Sequence, residues 1–419
     1  MKVKIKTLTP IWTGDVDKKC SKIKETGIIG SLRWWYEAIV RGFGGCACDS
    51  VSEVVKKCEL NDEKYKMGAR PEELICPVCY VFGTTGWSKR FRLEIDGKLN
   101  QLPSVIVKAD ERENHKGWFL GTGKSGGLIG TSEIKVYGES WVKNLLALLL
   151  NVSCSWGIGA KTQDGFGICK FEGQYNVDKA IKEIKDLISK FEQSRNSKLL
   201  PNMEDYFFAK ITVEEDINSN IGKVFNNKLF KGPKNQIGVE EFLQHIPEEH
   251  ESRFYPTAPL IRYWLRKLFR NGSDDLRHFL FGFISMKETP SPICRIHYTH
   301  VNKKDRGYFC PKCKKLLKDE EIYKKMGSKI FVSHIYNVDN NMWEFKIWGN
   351  VPKILPNNKN REKILQKLFS EIKENKNFVT ILNLDRNSTD VEWYEVSKER
   401  SSIFSVEELV SSILEVNRK

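Results

Sequence analysis

The chain has 419 residues, 40% of them hydrophobic, enough for two or three domains each with a core of its own. Its formal net charge is +14, a surplus whose usual counterpart is a polyanion. No apolar signal region follows a charged start and no long uncharged apolar span occurs, so the expectation is a soluble, unsecreted protein of the cytoplasm. Eleven cysteines in such a chain favour reduced thiols or metal ligands over a disulfide framework.

Residues Lys2 to Lys6 alternate lysine with valine and isoleucine, which predicts a strand with one apolar face. Ser31–Arg41 reads as a helix with Ser31 as N-cap and Gly42 as stop. At 100° per residue Leu32, Trp35 and Ile39 share one face, and Arg33, Glu37 and Arg41 share the opposite, polar one. Strands follow at Arg90–Ile95 and Glu133–Tyr137, an apolar helix at Trp141–Val152, and a strand at Phe166–Phe171. The order is βαββαβ.

After a linking helix (Ala180–Phe191) the pattern restarts. It runs through a strand at Tyr206–Val213, a helix at Ala258–Arg270, and strands at Ile293–Val301 and Met342–Trp348. A helix at Arg361–Glu374 and a strand at Phe378–Leu384 complete it. The two first helices match by position: Leu32, Trp35 and Ile39 with Ile261, Trp264 and Leu268, and Arg33, Glu37 and Arg41 with Arg262, Arg266 and Arg270. Each is followed by Phe-Gly, at Phe82-Gly83 and at Phe281-Gly282. The expected fold is α+β: two tandem ferredoxin-like (RRM-like, βαββαβ) domains with long insertions. Their spans are 1–175 and 205–419, joined by a linking helix within 176–204. Insertions are expected at Phe43–Lys89, Asp96–Thr131, Glu214–Thr257 and Asn302–Asn341, with Asn218–Ile237 mobile.

The strongest local motif is Trp156-Gly-Ile-Gly159-Ala-Lys161-Thr-Gln-Asp-Gly165-Phe-Gly167, where glycines would let backbone approach a phosphate and lysine would neutralise it. It does not open a helix after a strand, so it is no dinucleotide loop. Gly121-Thr-Gly-Lys124-Ser125 fails the spacing of a P-loop, because Trp118 stands where the first glycine belongs. Gly27-Ile-Ile-Gly30-Ser31 could present amides to a phosphate, with Arg33 and Arg41 beside it and Trp34 as a stacking surface. Lys89, Arg90 and Arg92 add a basic strand start. No RNP1 sequence marks the sheets, so RNA would lie along loops and helix starts. The candidate RNA-binding set is Gly30, Ser31, Arg33, Trp34, Arg41, Lys89, Arg90, Arg92, Gly157, Gly159, Lys161, Arg262 and Arg266. Solvated ion ladders and tight turns would explain many of these residues equally well.

Cys76-Pro-Val-Cys79 and Cys310-Pro-Lys-Cys313 are each half a zinc site by spacing. Cys46, Cys48 and Cys58 precede the first pair; Cys294, His297 and His300 precede the second, and His297 and His300 would complete a local site with it. Any such zinc would be structural, and no cofactor is required. Catalytic material is thin: Asp15 with Asp17, and His115 alone.

Thr9-Pro-Ile-Trp-Thr-Gly-Asp15, Thr26-Gly-Ile-Ile-Gly-Ser-Leu-Arg-Trp-Trp-Tyr-Glu37, Arg41-Gly-Phe-Gly-Gly45, Cys76-Pro-Val-Cys-Tyr-Val-Phe-Gly-Thr-Thr-Gly-Trp87 and Arg90-Phe-Arg92 resemble the RAMP superfamily of CRISPR RNA-handling proteins. Within it they are most similar to the first-numbered subunits of Cmr (type III-B) effector complexes. The resemblance implies a non-catalytic RNA-binding subunit in antiviral defence, near the 3′ end of the CRISPR RNA and helping to hold target RNA. It implies other Cmr subunits as partners, with no membrane and no small-molecule substrate. A RAMP-type endoribonuclease and a pure protein–protein scaffold are the alternatives.

Overall fold

A computed structural model describes the whole chain except residues 15–16, 18–19, 50–57, 110–116, 121–124, 192–199, 226–227, 233–234, 248–249, 251, 271–273, 285–291, 296–300, 305–306, 319–321, 324, 340, 356–358 and 416–419. The protein is α+β, with two main antiparallel sheets.

The first sheet runs in the order Phe91–Gln101, Leu128–Gly138, Lys2–Thr7, Cys169–Glu172. Strand Lys2–Thr7 alternates as expected: Val3 and Ile5 are buried, while Lys2 and Lys4 face water. Two helices pack on this sheet, Glu25–Gly42 and Ser140–Trp156. The first begins earlier than the sequence suggested. Lys24 is its N-cap, without a side-chain cap bond, and Ser31 lies well inside it, bonding the Gly27 carbonyl one turn back at 3.2 Å. Glycine at 27 is required by close packing, since a Cβ there would lie 2.9 Å from Cβ of Thr13.

The second sheet repeats the arrangement, with Ile335–Asp339, Met342–Asn350, Tyr206–Glu214 and Thr389–Glu395 in that order. Two expected strands are corrected. Phe378–Leu382 is a short helix, with Phe378 and Leu382 turned into the core, and the closing strand is Thr389–Glu395. Among the described residues of Ile293–Val301, only Ile293–Cys294 form a strand, paired with Ile322–Tyr323 in a separate two-stranded sheet. Short apolar runs fit a buried helix turn as well as a strand, and periodicity could not separate them. Helices Ala258–Leu268 and Arg361–Phe369 occupy the places of the two helices in the first half.

Two insertions meet. Val105–Val107 and Trp118–Leu120 from the first half join Leu229–Lys231 and Asn235–Gln236 from the second in one four-stranded sheet. The segment expected to be mobile therefore contains helix Asn218–Phe225 and two strands among its described residues. A second tie lies near the end of the chain. Helix Val406–Glu415 packs against Ser140–Trp156, and the Trp156 indole donates to the Ile413 carbonyl at 3.3 Å.

The polar face of the first helix, which the sequence left open between a solvated ladder and an RNA contact, is turned inward, with Glu37 and Arg41 buried. Glu37 pairs with Arg33 at 3.0 Å and Arg41 at 3.5 Å, and Arg41 donates to the carbonyls of Ala47, Cys48 and Pro201. Periodicity reports only the apolar stripe; the cysteine-bearing insertion folds back over the charged side. In the second half Arg262 is buried in the same way. Its fork reaches Gln163 O at 3.1 Å, Ile330 O at 3.2 Å and Phe281 O at 2.6 Å, while burial lowers its pKa. Arg262→Ala should destabilise the protein by about 3 kcal/mol or more, because each stranded buried acceptor costs about 1–3 kcal/mol. Arg262→Lys should recover little, since an ammonium cannot span the same acceptors. Chemical denaturation of the three proteins measures both.

Candidate nucleic-acid interface

Helix Ser140–Trp156 ends at Gly157, and the next eleven residues return the chain to the sheet through a run of left-handed backbone. Gly157, Gly159, Lys161, Gly165 and Gly167 have φ of 115°, 85°, 62°, 101° and 86°. Four are glycines, which take this conformation freely, and Lys161 is not. Gly159 shows why: a Cβ there would lie 2.5 Å from the Trp12 carbonyl oxygen. The loop is pinned on both sides. Ser31 Oγ accepts from Gly159 N–H at 2.8 Å, Trp35 Nε1 donates to Gly157 O at 3.3 Å, and Ala160 N–H donates to Trp12 O at 2.7 Å.

This loop, the start of the first helix and segment 326–331 of the second half enclose a cleft of about 850 Å³. Its walls include Trp12, Trp34, Trp156, Tyr206, Phe331 and Trp348, with backbone at Gly27, Gly30, Gly157 and Gly159 between them. Trp34 stands edge-on to Trp35, Tyr206 and Phe331 and remains half-buried at the cleft surface. A Cβ built on Gly30 meets nothing within 4 Å. The helix thus presents bare backbone to open space.

Two lysines adjoin the cleft. Lys161 Nζ lies 5.1 Å from the centre of the Trp12 ring, and burial lowers its pKa against the pull of Asp164. Lys329 lies over the Phe279 ring, and burial pushes it down to about 8. Asp164 is itself raised by burial, opposed by Arg262 and Lys161.

Of the residues singled out from the sequence, the structure brings Gly30, Ser31, Trp34, Gly157 and Gly159 together around this cleft, with Lys161 at its loop. The others lie elsewhere. Arg41, Arg262 and Arg266 are bound to main-chain carbonyls inside the fold, Arg266 to those of Phe281 and Gly282. Arg33 is spent on Glu37, the Gly83 carbonyl and Cys79 Sγ. Arg90 covers the Tyr80 ring at 4.0 Å and pairs with Glu139, Lys89 lies over Phe91, and Arg92 pairs with Glu94. Trp12, Trp156, Phe331 and Trp348 were missed as wall residues. Trp12 and Trp156 stand within quoted motifs, but nothing local marks Phe331 and Trp348, which reach the cleft only through packing of the two halves.

The cysteines form two groups. Sγ atoms of Cys48, Cys58, Cys76 and Cys79 all lie within 4.8 Å of one another, and all four residues are buried. Cys294, Cys310 and Cys313 form a second group on the same criterion. The first pair therefore finds its partners in its own insertion rather than in the second half. His297 and His300, proposed as ligands, and His115 and Asp15, weighed for catalysis, lie outside the described residues; Asp17 is exposed in a turn.

Residues 4–170 match the model of the RAMP superfamily. The resemblance read from the motifs is borne out there. No curated protein matches the chain in sequence. A crystal structure of Cmr1 from Pyrococcus furiosus, in its apo form, is similar over 86% of this chain and 90% of its own. Its identity is 12% and its TM-score 0.36.

His334 holds the loop from the other side. Its ring accepts the Ala258 N–H through Nδ1 at 3.2 Å, and a Cβ at Gly165 would lie 2.4 Å from it. Burial lowers its pKa to about 3 from the ordinary 6.5. The unfolded chain then binds a proton that the folded one refuses, so this stability is present above about pH 6.5 and is lost as pH falls toward 3. His334→Gln should flatten that acid slope by up to about 1.4 kcal/mol per pH unit, read from denaturation midpoints between pH 4 and 7.

Proposed function

We propose that the protein is a non-catalytic RNA-binding subunit of a Cmr-type CRISPR effector complex and that the cleft seats nucleotides of its RNA. The supporting observation is the cleft's chemistry. Aromatic rings offer stacking surfaces to any base, glycine backbone allows close approach by a sugar-phosphate chain, and lysines adjoin it in a chain of net charge +14. The RAMP match over the segment that builds two of its walls supports the same class, and the motif resemblance supports the Cmr assignment. CRISPR RNA, target RNA and neighbouring Cmr subunits are the partners on this reading, the cytoplasm its place, and antiviral defence its role. The strand order common to both sheets supports tandem ferredoxin-like domains over 1–175 and 205–419. RNA would then bind between the domains, away from the sheet faces.

Gly30 supplies a clean test. Gly30→Leu places a side chain in open cleft space, and glycine in a helix interior is destabilising by roughly 0.5–1 kcal/mol relative to alanine. RNA affinity should fall while the melting temperature holds or rises. Unchanged affinity for labelled RNA, at two salt concentrations, removes the cleft from the function.

Lys161 supplies a second test. A non-glycine residue in left-handed backbone carries strain of about 1–2 kcal/mol. Lys161→Gly should therefore raise folding stability while lowering RNA affinity and flattening its salt dependence. Denaturation and binding titrations of one variant read the two opposite signs. Intact labelled RNA after incubation with Mg²⁺ is the outcome expected against an endoribonuclease.

A further inference from the structure

The four cysteines of the first group come from three places in one insertion: Cys48 after the first helix, Cys58 beyond it, and Cys76 and Cys79 on the turn that opens helix Pro77–Phe82. Their sulfurs converge. Cys48 and Cys79 Sγ are 3.4 Å apart, and Cys48 and Cys76 Sγ 3.9 Å. A disulfide needs about 2.05 Å, so these are not bonded pairs. Four thiolates about 2.3 Å from a central ion make a tetrahedron with edges of about 3.8 Å. The observed spacings bracket that value and leave no room between the sulfurs for a multi-iron cluster.

The surroundings have the chemistry of a thiolate site. Backbone N–H groups point at sulfur: Cys76 N at Cys58 Sγ, 3.3 Å, and Cys79 N at Cys76 Sγ, 3.5 Å. Arg33 Nη2 lies 3.2 Å from Cys79 Sγ. Four thiolates around a divalent ion keep a net negative charge, and the half-buried Arg33 guanidinium beside one of them offsets part of it. With four uncharged thiols, the one counter-charge to Arg33 among the described residues would be Glu37, which Arg41 already shares.

We propose that Cys48, Cys58, Cys76 and Cys79 bind one Zn²⁺ tetrahedrally, as a structural ion that fastens the insertion to the first helix through Arg33. With all four positions taken by protein, the ion has no open coordination site and performs no chemistry. Zinc suits four soft thiolates without redox activity.

The full chain, produced in medium containing zinc and iron and purified with reductant, is analysed for both metals beside two variants. Cys310→Ser/Cys313→Ser removes the other cysteine group and should keep one zinc per chain. Cys76→Ser/Cys79→Ser should lose one equivalent relative to the unaltered protein. Cobalt exchanged into the first variant should give tetrahedral ligand-field bands with thiolate charge transfer. Should either variant fail to fold, the unaltered protein decides the matter by alkylation and peptide mapping. Cys48, Cys58, Cys76 and Cys79 should become reactive only after a zinc chelator is added, because burial alone would not respond to one. Alkylation indifferent to the chelator, iron in place of zinc, or a folded Cys310→Ser/Cys313→Ser protein without metal each overturns the proposal.

Discussion

In each half of the molecule a guanidinium leaves water to bind the carbonyls of a Phe-Gly turn, and the elements around it are placed by that contact. Arg33 reaches Gly83 O at 3.1 Å; Arg262, its counterpart on the second first helix, reaches Phe281 O at 2.6 Å. Both turns need left-handed backbone, with Gly83 at φ 84° and Gly282 at φ 65°. A buried arginine is tolerable only where several acceptors meet its fork, so helix, turn and neighbouring segment cannot shift independently. Arg262 adds Gln163 O and Ile330 O to its acceptors. It thereby joins the glycine loop of the first half to the second, and the cleft lies beside that junction.

The cleft persists because its walls cannot collapse onto it. One is the first helix, seated on its sheet, another is segment 326–331, which enters strand Ile330–Val332 of the second sheet, and the third is a loop whose Gly159 and Gly167 positions leave no space for a side chain. Aromatic rings stand edge-on to one another along it, Trp156 against Trp348 and Trp34 against Phe331, so each is held by its neighbour. The result is a surface that is apolar, rigid and open. Such a surface suits a planar base better than a flexible side chain.

What could be read from the sequence follows from which forces leave local traces. The stripe Leu32, Trp35 and Ile39 is buried as its period implied, and the pairing of Arg33 with Arg262 and of the two Phe-Gly turns is real geometry. The fate of the polar stripe was not legible, because its burial comes from an insertion distant in sequence. Trp264 and Leu268 are only half-buried, while Leu265 is the enclosed residue, since the second helix sits slightly rotated relative to the first. Cys76 and Cys79 announced a site by spacing. Cys48 and Cys58 were two among several cysteines until folding selected them.

The helix at Val406–Glu415 has a consequence for how the molecule comes to exist. It covers the apolar helix Ser140–Trp156, and Trp156 is bonded to Ile413. That helix packs on the first sheet, yet part of its outer surface is closed by a segment 257 positions further along the chain. Until that segment has been made, part of a leucine-rich face of the first half stays uncovered, although helix Val177–Ile188 already packs on it. Assembly of the cleft, whose walls include Phe331 and Trp348, thus waits for the second half of the molecule, and the first half alone carries the motifs without the site.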